Sequence, residues 1–169
     1  MNLSVFAVLL RMQSSPNSPQ PKTEAKAPFR AVVDTSIIIG DYKGCEASRK
    51  LIERLSKQKV LVCSGYIVME ARRTLLKKYG EDKGKVFDFM EAFHRKVNRF
   101  VEHVRVEDES CRDRRDLAVL GTVKAIGADV LYTHDEDMLS LKTFWGALIV
   151  SPIVKKAMKT NSSQTPEHA

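Results

Sequence analysis

Four acidic residues hold positions from which they could share one site. Asp34 closes the β-branched run RAVVD, and Asp135 closes DVLYTHD, with Asp137 two residues on. Glu70 lies one turn into the helical pattern after KVLVCS, and Asp116 opens the one after CRDRR. Each stands at the exit of a strand or the entrance to a helix, the rim where parallel α/β sheets gather function. Singly, each has a plainer explanation: Asp34 as a helix N-cap, Glu70 and Asp116 as acids favoured by the positive end of a helix dipole. Together, four carboxylates on one rim repel, and a divalent cation among them relieves the repulsion. Hard oxygen donors in that number suit Mg²⁺ or Mn²⁺. In a basic chain, such a pocket suits phosphodiester hydrolysis. Lys and Arg would hold the backbone, while the metal stabilises charge on the phosphate and lowers the pKa of an attacking water.

The elements that must position these acids alternate. Strands are expected over AVVD, KVLVCS (59–64), DVLYTHD (129–135) and ALIVSP (147–152), all rich in β-branched residues. Helices are expected over 46–56, over IVMEARRTLLKKYG to the stop at Gly80, and over 113–127 to the stop at Gly127. A longer helix is expected from Lys83 to Val104, with Val86, Phe89, Met90, Phe93, Val97, Phe100, Val101 and Val104 on one face. VRVED (104–108) overlaps its end as a short strand, and a short basic helix follows the last strand. This alternation predicts an α/β fold, a three-layer α/β/α sandwich around a mainly parallel sheet.

The chain of 169 residues fits one domain with tails. Residues 12–28, MQSSPNSPQPKTEAKAP, and the end, TNSSQTPEHA, hold too little apolar surface to offset their ordering entropy. The folded domain is therefore expected at 29–158, with tails at 1–28 and 159–169. The first ten residues are apolar but lack a preceding positive charge and a signal cleavage site, which favours a tail or a start placed too early. A net charge of +7 suits an anionic partner, nucleic acid above all. Cys45, Cys63 and Cys111 are odd in number and widely spaced, which argues against a disulfide scaffold or zinc ribbon and for a reducing cytoplasm. No run nears the ~18 apolar residues of a membrane span.

VVDTS (32–36), Glu70 in a helix start, CRDRRDLAVL (111–120) and GADVLYTHDEDML (127–139) resemble the PIN domain family, named after the N-terminal region of PilT. The likeness is to prokaryotic PIN proteins of toxin–antitoxin systems and covers about residues 30–155. The last two motifs are the most specific, with 19 residues from Asp116 to Asp135. The resemblance implies a Mg²⁺- or Mn²⁺-dependent ribonuclease with Asp34, Glu70, Asp116 and Asp135 as the acidic cluster. Asp137 would be a supporting metal ligand, and Thr35 or Ser36 a hydroxyl behind the ligands. It also implies RNA as substrate, an antitoxin as possible partner, and a homodimer. Two features depart from the family pattern. Ser36 stands where Asn is commoner, and RRD follows Cys-Arg-Asp where acids are usual. Asp113 and Asp116 therefore compete as third ligand, and the spacing to Asp135 favours Asp116.

Other readings compete. A haloacid-dehalogenase phosphatase needs a second Asp where Ser36 stands, and a response-regulator receiver needs an acid pair before its phosphoacceptor; neither pattern is present. A PIN fold that binds RNA or protein without cutting it is the stronger rival. Arg72 and Arg73 adjoin Glu70, and Arg112, Arg114 and Arg115 adjoin Asp116, where they could hold phosphates. Arg95, Lys96 and Arg99 read as a solvated face. His134 reads as a surface or hydrogen-bonded residue rather than a metal ligand, Phe144 and Trp145 as packing the last strand, and Tyr42, Lys43 and Gly44 as a link that could line a groove.

Overall fold

A computed structural model describes residues 28–106 and 116–152. The short, wholly buried β1 (Ala31–Val33) leads through Asp34 into α1 (Thr35–Tyr42), and α2 (Glu46–Lys57) follows after a brief link. β2 (Leu61–Ser64) is also fully buried and runs into α3 (Gly65–Lys77), then α4 (Lys83–Lys96) and β3 (Arg99–Val101). Beyond residue 116 come α5 (Asp116–Ile126), β4 (Val130–Tyr132), α6 (Glu136–Ser140), β5 (Thr143–Phe144) and β6 (Ala147–Val150).

The six strands form one sheet in the order β3-β2-β1-β4-β6-β5. All neighbouring pairs are parallel except β5 with β6. The predicted α/β class therefore holds, with a mixed, mostly parallel sheet and, among the described residues, six helices. Strands buried on both faces explain the uninterrupted AVV, LVC and VL runs. From β1 the chain moves to β2 and β3 on one side, then returns to place β4 on the other. Right-handed crossovers send those two sets of connections over opposite faces. The topology is thus compatible with a three-layer sandwich. It also creates a switch point between β1 and β4, where a crevice opens beyond the strands' carboxyl ends.

Three expectations need correction. The helix predicted over 83–104 ends at Lys96, where Val97 turns extended (φ −70°, ψ 125°). The chain then becomes β3, so Phe100 and Val101 belong to a sheet edge and Val104 to the segment after it. Asn98 accounts for the break. Its N–H donates to the Leu61 carbonyl (2.9 Å), its side-chain oxygen accepts from the Leu61 N–H (3.0 Å), and its amide donates to Ser56 O (3.2 Å). Those bonds dock the segment on β2 and on the end of α2. Among residues 104–106 no strand forms, and the rest of VRVED lies outside the described residues. The third correction concerns Trp145. Phe144 is buried, but Trp145 stands 66% exposed at the β5–β6 turn, at φ 49°, with the Lys124 ammonium 4.2 Å from its ring centroid. The basic helix expected after β6, residues 1–27 of the N-terminal tail, the C-terminal tail boundary, Cys111, Arg112, Asp113, Arg114 and Arg115 lie outside the described residues.

α5 carries Asp116, and its placement depends on small side chains. Gly121 packs so closely on the Val104 carbonyl that a Cβ there would stand 2.0 Å from the oxygen. One turn position on, the fully buried Thr122 hydroxyl lies 2.9 Å from Ser64 Oγ at the end of β2. Gly121→Ala should therefore destabilise the protein by about 1–3 kcal/mol, as overpacking does. Gly65→Ala, whose added Cβ meets nothing within 4 Å, should leave the urea midpoint nearly unchanged. Equal midpoints for the two variants would refute the close α5 contact.

Candidate functional site

Asp34 leaves the carboxyl end of the central strand β1 and is 5% exposed. Its side chain is the N-cap of α1, which the plainer reading anticipated. Oδ1 accepts from the Thr35 N–H (2.6 Å), and Oδ2 accepts from the Ser36 hydroxyl (2.6 Å), the Ser36 N–H (3.3 Å) and the Thr133 hydroxyl (2.8 Å). A buried carboxylate needs such donors, since an unpartnered one would be costly. The neutralisation comes from amide and hydroxyl dipoles; among the described residues no Lys or Arg pairs with Asp34.

The same hydroxyls continue to β4. Thr133 Oγ1 accepts from the Asp135 N–H (2.9 Å), and Ser36 Oγ accepts from the His134 N–H (2.9 Å). Asp135 in turn N-caps α6, its Oδ1 meeting the N–H groups of Asp137 (2.8 Å) and Met138 (3.1 Å). Behind them, His134 Nε2 lies 2.8 Å from the buried Ser48 hydroxyl of α2. Burial pushes the His134 imidazole below its usual pKa, an effect the Asp34 carboxylate partly offsets. His134 is thus a hydrogen-bonded link, as expected. Cys63, buried beneath the site, has its thiol pushed up to about 12 by burial, so it is no nucleophile.

Asp34, Glu70, Asp116 and Asp135 all line one cleft of about 340 Å³, together with Thr35 and Ser36. This convergence is the main geometric result, because the four come from four separate segments. Glu70 projects from α3, with the Thr74 hydroxyl 3.5 Å from Oε1 and an Arg73 nitrogen 4.0 Å from Oε2. Asp116 is the first residue of α5. Asp137 is exposed on the first turn of α6 and is not part of the cleft wall; its N–H serves the Asp135 cap. Of the two hydroxyls predicted behind the acids, Ser36 meets Asp34 through its side chain, whereas Thr35 does so through its backbone N–H.

Among the described residues, the cations on the cleft wall are Lys43 and Lys78, beside Tyr66 and Tyr79. Arg72 and Arg73 are exposed on α3 outside that wall. Of the link Tyr42, Lys43 and Gly44, Lys43 lines the cleft and the other two do not. Thr133, Ser48 and Tyr79 were not singled out from the sequence. For Thr133 a signal existed: a hydroxyl residue two positions before a strand-end acid, mirroring Ser36 two positions after Asp34.

Four carboxylates facing one cleft are the donor set that a hard divalent cation takes. Among the described residues, however, no three Asp, Glu, His or Cys side chains stand close enough to hold one ion as they are. The donor chemistry fits Mg²⁺ or Mn²⁺, and the spacing is open. No helix among the described residues is long and apolar enough to cross a membrane. Compared with models of known protein families and with curated proteins, the chain gives no match.

Two predictions follow from this geometry. Thr133→Val removes the hydroxyl shared by Asp34 and the Asp135 N–H, and should cost about 1–3 kcal/mol in urea unfolding; an unchanged midpoint would contradict the network. The second concerns Glu81, which joins Lys43 and the Tyr42 hydroxyl (3.1 Å) at the cleft's lip. The Lys43 ammonium hydrogen-bonded to it holds the Glu81 carboxyl below the usual glutamate range. A depressed folded-state pKa contributes stability that is present above the unfolded value and lost as pH falls through the folded one. The melting-temperature advantage of wild type over Glu81→Gln should therefore shrink from neutral pH to acid. An advantage that grew on acidification would reverse the assignment.

Proposed function

We propose that the protein is a metal-dependent endoribonuclease of the PIN type. The observation that carries this reading is the convergence of Asp34, Glu70, Asp116 and Asp135 on a single cleft at the β1–β4 switch point. These four would hold the Mg²⁺ or Mn²⁺, which when bound supplies charge stabilisation at the phosphate and a more acidic water. The chain's own contribution is positional. Ser36 and Thr133 hold Asp34 rigid between β1 and β4, Ser64 and Thr122 seat α5 under Asp116, and Lys43 and Lys78 at the wall attract the phosphate backbone. The resemblance to PIN toxins extends the proposal to an antitoxin as partner and to a homodimer.

RNA or protein binding without cleavage is a second reading, favoured by the open spacing of the acids. A mixed RNA pool incubated with Mn²⁺ or Mg²⁺ separates the two. The nuclease cuts the pool, stops in EDTA, and falls to background as Glu70→Gln or Asp116→Asn. Asp34→Asn is the poorer test, because its amide would put an NH2 group in place of one carboxylate oxygen, facing donors already aimed there. Cleavage that persists in EDTA, or in both variants, would refute the proposal.

A further inference from the structure

The amino-terminal end of the sheet, opposite the cleft, gathers cations that the fold does not neutralise. There the end of α2 and the turn into β2 meet the end of α4 and the start of β3, joined by the Asn98 bonds to Leu61 and Ser56. Arg54 and Lys57 of α2, Lys59 of the turn and Arg99 of β3 are all exposed at that junction. None of the four forms an ion pair with a described residue, whereas Arg95 beside them is paired with Glu91 (2.7 Å). Local structure explains three of these cations. A helix C-terminus favours Arg54 and Lys57, and charge on the edge strand β3 discourages pairing with another sheet. Neither reason reaches Lys59, which sits at φ 60°, in the left-handed region where Gly or Asn would be easier. A side chain kept in such a conformation points to use rather than to stability.

We propose that this end of the sheet is a second RNA-binding surface, an anchor that holds the phosphate backbone away from the cleft. The proposal rests on the nuclease reading for the choice of RNA and adds a contact outside the acids. Unpaired cations set beside the exposed amides of Gln58 and Asn98 are what phosphate and sugar contacts use. A membrane surface would call for exposed apolar anchors, and a protein interface for an apolar centre. Within residues 54–59 and 95–99 no large apolar side chain is exposed, and the Phe100 ring that follows is stacked on His94 with centroids 4.3 Å apart. The cations precede β2 and β3, whereas the acids follow the strands. The four residues of β2 put about 13 Å of sheet between them at ~3.3 Å per residue. Only an RNA of several nucleotides reaches both, so the anchor serves long substrates.

The test is fluorescence anisotropy of the full chain in EDTA, with a labelled oligouridylate of about 20 nucleotides across a salt series. The variant Lys57→Gln/Lys59→Asn/Arg99→Gln should lower the slope of log affinity against log salt by about two, at ~0.7 per phosphate contact. The wild-type advantage should accordingly shrink roughly 20-fold between about 50 and 200 mM salt. The charge-matched variant Lys50→Gln/Lys124→Gln/Lys142→Gln should keep the wild-type slope. Lys59→Asn alone should not lower the melting temperature, since Asn suits the left-handed turn; a fall would return Lys59 to a structural role. Equal losses in the two triple variants, an unchanged slope in the first, or no RNA binding by the wild type would overturn the proposal. So would a first variant that loses phosphatidylserine vesicles or polyglutamate while keeping RNA. Because EDTA suppresses cutting, a protein that binds RNA through this end but never cleaves with Mn²⁺ sinks only the nuclease reading. One that cleaves, while the first variant binds as the wild type does, sinks only the anchor.

Discussion

The site depends on how a carboxylate can be kept at the end of the central strand. Asp34 sits between β2 and β4, almost out of contact with water, and without donors its burial would be prohibitive. Ser36 and Thr133 remove that cost from opposite sides, one from the helix that Asp34 caps and one from beyond β4. The two hydroxyls are themselves 3.3 Å apart, and each accepts an N–H from the turn that carries Asp135. One buried carboxylate thus sets the spacing between the strand-end segments of β1 and β4. The crevice of the switch point is held open and rigid by the same bonds.

The other two acids reach the cleft by packing rather than by hydrogen bonds to Asp34. Ser64 ends β2, caps α3 through the Ile67 N–H (3.5 Å), and lies against Thr122 of α5. The helices bearing Glu70 and Asp116 are therefore referenced to a single buried hydroxyl pair next to the central strand. Gly121 lets α5 approach that closely. Structural capping and the shaping of the cleft are the same interactions here: the plain reading of Asp34 as an N-cap holds, and the same side chain lines the cleft.

Much of this was legible in the chain. A β-branched run ending in an acid announces a strand exit, and that rule located Asp34 and Asp135 and hence the rim. Glu70 and Asp116 followed from helix entrances. What stayed hidden has physical causes. Val97, Phe100, Val101 and Val104 continue the spacing of α4, yet Asn98 docks that segment on β2, a tertiary bond that no periodicity reports. Trp145 looked like core by composition, but the β5–β6 turn places it outward. Lys43, Lys78 and Tyr79 come from two chain segments brought together by Glu81, and only the folded chain reveals that meeting. The arginines beside Glu70 are exposed and form no part of the cleft wall, although Arg73, one turn on from Glu70, comes within 4.0 Å of its carboxylate.

The proposed nuclease requires its four acids to act as one divalent-cation site. Calorimetric titration of Mn²⁺ into the RNA-free protein tests it most directly. Saturable binding is expected in the wild type, weakened in both Glu70→Gln and Asp116→Asn by more than the ~10-fold typical of losing even a partner behind the ligands. No saturable binding by the folded wild type, or binding that both variants leave intact, would contradict it.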